Sequence, residues 1–359
     1  MANSRATKGR RVVVTGASGN IGTSLVRALS RDPAVHTIVG IARRRPEWTV
    51  DKLEWATADL GADDDIDLLL TGADVVVHLA WLFQPARDPL TTWETNVLGS
   101  VRLFEAVARV GVPVLVYSSS VGAYSPAPQD ELVPESWPTH GWPQAAYTRE
   151  KAYLERVLDG FEARHPNLRV VRMRPAFLFK AASATEQRRL FAGPFLPGSL
   201  VRPGLIPVVP DLPGLRAQAV HTDDAAAAFR LAALDGAASG AYNLAADPVV
   251  DATVLAELLN ARVVRLPAWT VRGPLSAAWH LHLTPADPDL FDAVLRMPLM
   301  DSTRARTELG WTPTHDAKSV LSEFLTALRE GTGGPTPPLT EDTPTNRTKE
   351  LTTGTGTRP

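Results

Sequence analysis

The chain of 359 residues is 44% hydrophobic, carries a formal net charge of −2 and contains no cysteine. That length allows one large or two ordinary domains with a buried core. The balanced charge argues against nucleic acid and membrane surfaces as partners, and the lack of thiols excludes disulfides, thiolate metal sites and cysteine nucleophiles. No stretch is long and apolar enough to cross a bilayer, and residues 1–11 lack the apolar core of a secretory signal, which predicts a soluble cytoplasmic protein.

The N-terminal half of the sequence alternates predicted strands with predicted helices. Short β-branched runs predict the strands, and apolar residues at helical spacing predict the helices. Because the two alternate and the strands are rich in Val, Ile and Leu, we predict an α/β protein with a Rossmann-type, doubly wound parallel sheet. The predicted strands are 11–15, 37–42, 53–57, 74–79, 112–118 and 168–173, and the predicted helices are 20–30, 63–70, 92–110, 147–164, 223–234 and 254–259.

The pattern changes after residue 175, where prolines become frequent and the elements irregular. We therefore expect a dinucleotide-binding Rossmann domain over 11–175 and a smaller, discontinuous C-terminal substrate-binding domain over 176–330. Some segments of the second domain are expected to return to the first, and the second domain should lie over the carboxyl edge of the sheet, where ligands bind. Residues 1–10 and 331–359 are polar and offer almost nothing to bury, so both ends are predicted to be disordered.

Three glycines, Gly16, Gly19 and Gly22, follow the first predicted strand and precede the first predicted helix. A tight turn needs a residue without Cβ, a pyrophosphate must approach the backbone closely, and a helix N-terminus offers free N–H groups to an anion. The strand–turn–helix context favours a dinucleotide-binding turn over a plain glycine turn. The residues of that turn predicted to contact the cofactor are Gly16, Ser18, Gly19, Asn20, Ile21 and Gly22.

The residues after the second predicted strand bear on the choice of cofactor. An NAD site usually places an acidic residue there, which accepts hydrogen bonds from the ribose 2′-hydroxyl. Here Ala42 holds that place and is followed by Arg43, Arg44 and Arg45, whose guanidinium groups suit a 2′-phosphate. We therefore predict NADP as the preferred cofactor and NAD as the second choice, with a solvated basic loop as the alternative interpretation.

Tyr147 and Lys151 are four residues apart, which places them on one face of a predicted helix. A free tyrosine has a pKa of about 10, and a nearby ammonium would lower it. Ser118, Ser119 and Ser120 lie at the end of a predicted strand, on the same edge as the glycine turn, and could hold a substrate oxygen or simply cap a turn. Only the combination of the tyrosine–lysine spacing with the serines at the strand end favours a catalytic group.

These motifs resemble, in order, those of the extended short-chain dehydrogenase/reductases, the group of NAD-dependent epimerases and dehydratases. The resemblance covers about residues 11–325 and is specific for the superfamily, but it says much less about the substrate. It rests on 15–22, Asp59-Leu60, His78-Leu79-Ala80, Asn96 with Gly99, Ser118–Ser120 with Tyr124, Tyr147 with Lys151, Arg174-Pro175, 220–223 and 309–313.

The resemblance implies a role for each matching position. Tyr147 would be the general acid–base, Lys151 would lower its pKa and hold the nicotinamide ribose, and Ser120, or else Ser119, would hydrogen-bond the substrate oxygen. A homodimer formed through helices 92–110 and 147–164 is a further family-level expectation. Beyond the glycine turn, the predicted cofactor contacts are Arg43, Arg44, Asp59, Leu60, Leu79, Ala80, Trp81, Asn96, Ser118, Tyr147, Lys151 and Pro175.

Several other residues invite a functional interpretation. The aromatic residues near the predicted site could line a pocket for an apolar or ring-shaped small-molecule substrate; they are Trp81, Phe83, Trp137 and Trp142. His280 and His282 have no carboxylate at ligand spacing, so no metal site is predicted. Asp223 and Asp224 precede an alanine-rich helix and are predicted to cap it.

Three chemistries remain open. The first is reduction of a carbonyl or oxidation of an alcohol, in which Tyr147 passes the proton and the nicotinamide passes the hydride. The second is epimerisation of a nucleotide sugar by oxidation and re-reduction, which Ala42 weakens although Arg188, Arg189, Arg202 and Arg216 could meet a diphosphate. The third is a non-catalytic dinucleotide sensor, which the retained tyrosine–lysine pair disfavours. A sugar dehydratase is disfavoured because Val121 and Gly122 cannot do acid–base work.

Overall fold

A seven-stranded sheet, parallel throughout, forms the centre of the protein. The computed structural model describes residues 9–353 except 63–64, 129–130 and 196; the predicted disorder of 1–8 and 354–359 lies outside the described residues, whereas Arg10, also predicted to be disordered, begins the first strand. The strands are β1 (Arg10–Thr15), β2 (Val35–Ala42), β3 (Leu53–Thr57), β4 (Val75–His78), β5 (Val114–Ser118), β6 (Arg169–Pro175) and β7 (Gly240–Leu244).

Across the sheet the order is β3-β2-β1-β4-β5-β6-β7. The chain therefore moves outward in one direction from β1 and in the other from β4, and the carboxyl ends of these two strands flank a crevice. In open α/β sheets, ligands bind at such a switch point. The predicted Rossmann-type fold is confirmed.

Helices cover both faces of the sheet. Val12 to Val14 and their neighbours in the other strands are therefore buried on both sides. Helices Asn20–Ser30 and Thr222–Leu234 share one apolar core with β1, while Ile66–Leu70, Gly99–Val110 and Ala146–Arg164 share the other. No helix within the described ranges is long and apolar enough to cross a membrane.

The helix predicted over 92–110 begins earlier and contains an irregular turn. It runs from Pro89–Trp93 through a π-helical turn at Glu94–Leu98 into Gly99–Val110. Asn96 lies in that π-helical turn, a type of irregularity that is frequent at functional sites. The turn directs the Asn96 side chain towards the loop that follows β4.

The second part of the chain lies over the carboxyl edge of the sheet and also contributes the edge strand β7 to it. Its helices are Ala184–Gln187, Ala252–Leu259, Trp269–His280, Pro288–Val294, Thr303–Glu308 and Ala317–Glu330. Its short strands are Phe177–Phe179, Val208–Asp211, Ala217–His221, Ala246–Val250, Arg262–Arg265 and Leu299–Met300, the last of which pairs with Leu132–Val133.

The predicted capping of helix Thr222–Leu234 by its two aspartates is not what the structure shows. The His221 side chain accepts the backbone N–H of Asp223 instead. Asp224 accepts hydrogen bonds from the hydroxyl of Thr314 at 2.6 Å and the backbone N–H of His315 at 3.0 Å. This carboxylate therefore ties the helix to the late Leu-Gly-Trp-Thr-Pro segment rather than closing the helix end.

The described part of the segment from residue 331 onward is ordered, in contrast to the predicted disorder. Pro337–Leu339 forms a 3₁₀ turn and Pro344–Thr353 a helix. The Thr336 hydroxyl donates to the Ser18 carbonyl at 2.7 Å, across the glycine turn. We call residues 332–350 the C-terminal strap, because this segment crosses from the second domain to the turn.

Ion pairs hold the C-terminal strap in place. Arg188 donates to Glu350 at 2.7 Å, and both side chains are only 2% exposed. Asp342 lies 3.4 Å from the same guanidinium and also pairs with Arg347 at 2.5 Å. The prediction of disorder was based on low apolar content, and it fails here because a few charged and backbone contacts order the segment.

Candidate active site

The glycine turn at the end of β1 has the geometry that a bound pyrophosphate requires. Gly16 has a φ of +67°, and a Cβ there would lie 2.7 Å from the backbone nitrogen of Ala80. A Cβ on Gly22 would lie 2.2 Å from the Gly16 carbonyl oxygen, so Gly22 allows the helix to pack on the turn. Gly19 differs, since its Cβ would meet only that oxygen, at 3.3 Å. Its missing side chain therefore leaves space beside the helix N-terminus, where N–H groups favour an anion.

A cavity of about 540 Å³ begins at this turn and extends along the carboxyl edge of the sheet into the second domain. A volume of this order is typical of ligand sites. Of the predicted cofactor-binding residues, all except Asn96 line the cavity: Gly16, Ser18, Gly19, Asn20, Ile21, Gly22, Arg43, Arg44, Asp59, Leu60, Leu79, Ala80, Trp81, Ser118, Tyr147, Lys151 and Pro175. Ser120 lines it as well.

Asn96 is not among the cavity-lining residues, and its side chain has another task. Its carbonyl oxygen accepts the N–H of Leu82 at 2.7 Å, and its amide donates to the Leu82 carbonyl at 2.9 Å and to Glu150 at 2.8 Å. Glu150 is buried and also accepts the Thr92 hydroxyl. The pKa of Glu150 is raised, because the effect of burial exceeds the opposing effect of these hydrogen bonds. Asn96 thus holds the loop after β4 against the catalytic helix.

His78, at the end of β4, is a buried, hydrogen-bonded residue. Its two ring nitrogens hydrogen-bond Thr15 at 2.7 Å and Ser100 at 2.8 Å. Burial and the charge of Lys151 lower the pKa of His78 to about 3, so the ring stays neutral. It joins the ends of β1 and β4, which form the floor of the crevice.

The structure brings Ser120 and Tyr147 together and turns Ser119 away. The side chains of Ser120 and Tyr147 are hydrogen-bonded, and the Ser120 oxygen also accepts the N–H of Gly122 at 3.0 Å. The Ser119 hydroxyl instead donates to the buried Glu155 at 2.6 Å. Of the two serines left open by the sequence, only Ser120 is therefore positioned to meet a substrate oxygen together with Tyr147.

Lys151 is buried beside the catalytic tyrosine but makes other contacts. Its ammonium donates to the Ser118 carbonyl at 2.7 Å and lies 3.4 Å from the centre of the Trp81 ring. Burial lowers the pKa of Lys151 well below its usual value, although the charges of Glu150 and Glu155 raise it.

Burial also raises the pKa of Tyr147, to about 12, although its hydrogen bond with Ser120 lowers it. The predicted lowering of this pKa by Lys151 is therefore not what the structure shows, because desolvation of the phenol dominates and the Lys151 ammonium is directed to the Ser118 carbonyl and the Trp81 ring. The Tyr147 phenol is therefore protonated at neutral pH.

Aromatic rings surround the Tyr147 phenol. Phe83 stacks on it with 5.1 Å between ring centres, Trp81 meets it edge-on at 5.8 Å, and Phe191 meets Phe83 at 5.8 Å. Trp81 and Phe83 line the cavity as predicted. Trp137 and Trp142 do not: the first donates to the Ser125 carbonyl and the second packs on Arg296.

A buried ion cluster behind the site was not predicted. Glu155 is paired with Arg174 at 2.9 Å and Arg172 at 3.0 Å, and Arg174 also donates to the Tyr124 hydroxyl at 2.8 Å. Burial alone would raise the pKa of Glu155, but these arginines lower it to about 2. The cluster ties β6 to the catalytic helix and fixes the Ser119 backbone next to Ser120.

The arginines proposed for a substrate diphosphate are dispersed. Arg189 lines the cavity, whereas Arg188, Arg202 and Arg216 do not appear in its lining. Within the described ranges, no group of three or more potential ligand side chains could hold a metal ion, and this includes the surroundings of His280 and His282.

A sequence model of the NAD dependent epimerase/dehydratase family matches residues 12–245. The chain belongs to this family. The match spans both the glycine turn and the tyrosine–lysine pair of this enzyme family.

Individual relatives are more distant. Over 321 residues the chain is 28% identical to an uncharacterized protein of Mycobacterium tuberculosis, which covers 89% of this chain but only 30% of that protein's length. Over 200 residues it is 27% identical to the bifunctional UDP-glucose 4-epimerase and UDP-xylose 4-epimerase 3 of Arabidopsis thaliana, covering 51% of this chain and 55% of that protein.

Solved structures share the fold. The UDP-glucose 4-epimerase of Thermus thermophilus, in complex with NAD, superposes with a TM-score of 0.64 at 20% identity, covering 89% of this chain and 99% of that chain. The dTDP-glucose 4,6-dehydratase DesIV of Streptomyces venezuelae, with NAD bound, gives a TM-score of 0.66 at 18% identity, covering 89% and 97%. The Rossmann sheet and the C-terminal domain are thus common to family members of different activity.

Proposed function

We propose that this family member is an NADP(H)-dependent oxidoreductase that reduces a carbonyl group on a small molecule. The observation that carries the proposal is the hydrogen-bonded Ser120–Tyr147 pair, with Lys151 beside it, inside the cavity that begins at the glycine turn. Residues 11–175 would bind the cofactor, and 176–330 would mainly bind the substrate.

The residues of the site suit proton donation. When bound, a nicotinamide supplies the hydride. With its pKa raised to about 12, Tyr147 is protonated at neutral pH and can give its proton to the oxygen of the carbonyl being reduced. The Ser120 oxygen accepts the Gly122 N–H, and its hydroxyl can donate a hydrogen bond to the same carbonyl oxygen without giving up its proton. Lys151 uses one of its donors on Ser118 and keeps others for the ribose of the cofactor.

The preference for NADP rests on the end of β2. Arg43 and Arg44 line the cavity there, and Ala42, which stands where an NAD site usually has an acid, is buried. Guanidinium groups bind phosphate through paired hydrogen bonds. The related structures described above contain NAD, so a direct comparison of the two cofactors decides this part of the proposal.

The experiment is to replace Tyr147 with phenylalanine and follow the absorbance of NADPH with a panel of uncharged ketones. Loss of the proton donor should lower kcat about 10²- to 10⁴-fold, while the NADPH Kd stays within twofold. Tyr153→Phe is the matched control, because Tyr153 lies on the same helix but is 46% exposed. Full turnover by Tyr147→Phe would refute the mechanism.

A second candidate function, nucleotide-sugar epimerisation, is favoured by the names of the relatives: UDP-glucose 4-epimerases occur among both the sequence relatives and the structural neighbours. The same Ser120, Tyr147 and Lys151 would then oxidise and re-reduce one sugar carbon. Incubation with UDP-glucose and separation of the sugar products distinguishes the two. An epimerase converts UDP-glucose into a second sugar without net change in cofactor absorbance, whereas a carbonyl reductase leaves UDP-glucose unchanged and consumes NADPH only when a ketone is supplied.

We also propose that two copies associate through helices Gly99–Val110 and Ala146–Arg164. Leu98, directly before the first of these helices, is 43% exposed and Tyr153, on the second, is 46% exposed, and exposed apolar side chains are typical of an interface. Light scattering on the purified protein measures the mass, and a monomer at all concentrations would refute the dimer.

A further inference from the structure

The substrate end of the cavity points to a particular chemical class. We propose, on the basis of the oxidoreductase function above, that this enzyme takes an uncharged, apolar ring ketone or ring alcohol, and that a nucleotide diphosphate sugar does not fit. The proposal is based on the apolar wall around Tyr147 and on the shortage of cations in the second-domain part of the cavity.

The wall around the phenol is formed by hydrocarbon and aromatic groups. Phe83 stacks on Tyr147, and Phe191 stands against Phe83. Met297 approaches from the other side, since a Cβ on Gly122 would lie 2.9 Å from the Tyr147 ring and 3.4 Å from the Met297 methyl group. Leu190, Leu290 and Val294 continue this lining into the second domain.

Cations are scarce in the same region. The basic side chains in the described lining are Arg43, Arg44, Lys151 and Arg189. The first two lie at the end of β2, on the other side of the glycine turn from the catalytic helix. Lys151 donates to the Ser118 carbonyl, lies on the Trp81 ring and has its remaining donors assigned to the cofactor ribose. Of the basic residues in the described lining, Arg189 alone thus remains for a substrate anion in the second domain.

Arg189 is a single cation against the two charges of a diphosphate. It is 3% exposed, donates to the Pro338 carbonyl at 2.8 Å and interacts electrostatically with the buried Glu186, while its Nε has no hydrogen-bond partner among the described residues. Its neighbour Arg188 is neutralised by the C-terminal strap, through Glu350 and Asp342. The C-terminal strap therefore neutralises Arg188, one of the arginines that the sequence analysis considered for binding a diphosphate.

The balance of energies follows from these contacts. A sugar diphosphate would bring two negative charges into a cavity that must also hold the pyrophosphate of the cofactor. Moving an ion out of water costs several kcal/mol unless it is fully paired, and a single shared guanidinium cannot pair both charges. A flat apolar ring instead gains from burial and from stacking on Phe83 and Phe191.

The test measures binding apart from turnover, with 1-tetralone, an uncharged bicyclic ketone, and UDP-glucose as probes. Each is titrated calorimetrically into the full chain saturated with NADP⁺, which offers no hydride to the ketone. We expect saturable 1-tetralone binding, at least tenfold weaker in both Phe83→Ala and Leu290→Ala, and no UDP-glucose binding up to millimolar concentration. Trp142→Ala, an aromatic deletion outside the cavity, should bind 1-tetralone like the wild type.

Three results would overturn the inference: UDP-glucose binding in the micromolar range, no binding of 1-tetralone, or 1-tetralone binding that neither cavity variant weakens. A circular-dichroism spectrum and melting curve for each variant show that it is folded. Failure of the oxidoreductase function is a separate result, since it is read from NADPH consumption in the Tyr147→Phe comparison and not from these titrations.

Discussion

Replacing Gly19 with alanine should weaken dinucleotide binding while leaving the protein folded. Gly19 has a φ of −83°, which any L-residue adopts, and its added Cβ would approach only the Gly16 carbonyl, at 3.3 Å. A small adjustment of that oxygen relieves the contact, so we expect the free energy of unfolding to change by less than about 1 kcal/mol.

The added methyl group should instead weaken the binding of the pyrophosphate. The methyl group would occupy the space in front of the first turn of helix Asn20–Ser30, whose leading N–H groups have no partner within the helix. Losing one charge-assisted hydrogen bond of about 1.5–3 kcal/mol raises the NADPH Kd about 10- to 100-fold.

Isothermal titration with NADPH measures this Kd, and thermal melting in the absence of cofactor measures stability. Gly160→Ala is the matched control, because a Cβ at this helical position would meet nothing closer than Arg164, at 3.7 Å. Gly22→Ala should behave differently from both and lower the Tm, since its Cβ would lie 2.2 Å from the Gly16 oxygen. A folded Gly19→Ala protein with the wild-type Kd would show that the turn does not hold a pyrophosphate.

Three further predictions concern the cofactor, the pH dependence and the ion cluster. Arg43→Ala should raise the Kd for NADPH about tenfold and leave the Kd for NADH unchanged. Arg45→Ala is the control and should alter neither Kd, because Arg45 is exposed and is not among the cavity-lining residues. Tighter binding of NADH than of NADPH by the wild type would contradict the choice of NADP. Because the pKa of Tyr147 is raised to about 12, kcat for reduction should be flat from pH 6 to about 9, while kcat for alcohol oxidation should rise about tenfold per pH unit; an oxidation rate that levels off below pH 8 would argue for a different base. Glu155→Gln should lower the free energy of unfolding by about 3–5 kcal/mol at pH 7, as urea denaturation measures. Since the folded-state pKa of Glu155 is lowered to about 2, its contribution is complete above pH 4.5 or so, is lost as the pH falls towards 2, and should be absent from the glutamine variant.

The first domain could be predicted because its signals are local. A buried parallel strand is a run such as Val12 to Val14, and a dinucleotide turn is set by glycines a few residues apart. Tyr147 and Lys151 are likewise neighbours on one helix, and the ends of parallel strands meet at one edge. The lining of the cavity on the cofactor side therefore follows from the sequence almost completely.

The features that were missed depend on partners far apart in the chain. Glu150 and Glu155 look like the solvent-facing charges of an amphipathic helix, and only the folded protein shows that Asn96 and Arg174 bury them. The raised pKa of Tyr147 depends on how much water the surrounding rings exclude, which spacing along a helix does not reveal.

The contact between Thr336 and Ser18 also has a consequence for biosynthesis. The two residues are 318 positions apart in the sequence, a stretch that a ribosome takes roughly 15 to 60 s to translate. We expect β1 and the glycine turn to fold long before the segment that carries Thr336 has left the exit tunnel. Over that interval the pocket stays open on one side, so a nascent chain can load its dinucleotide before the final wall is in place.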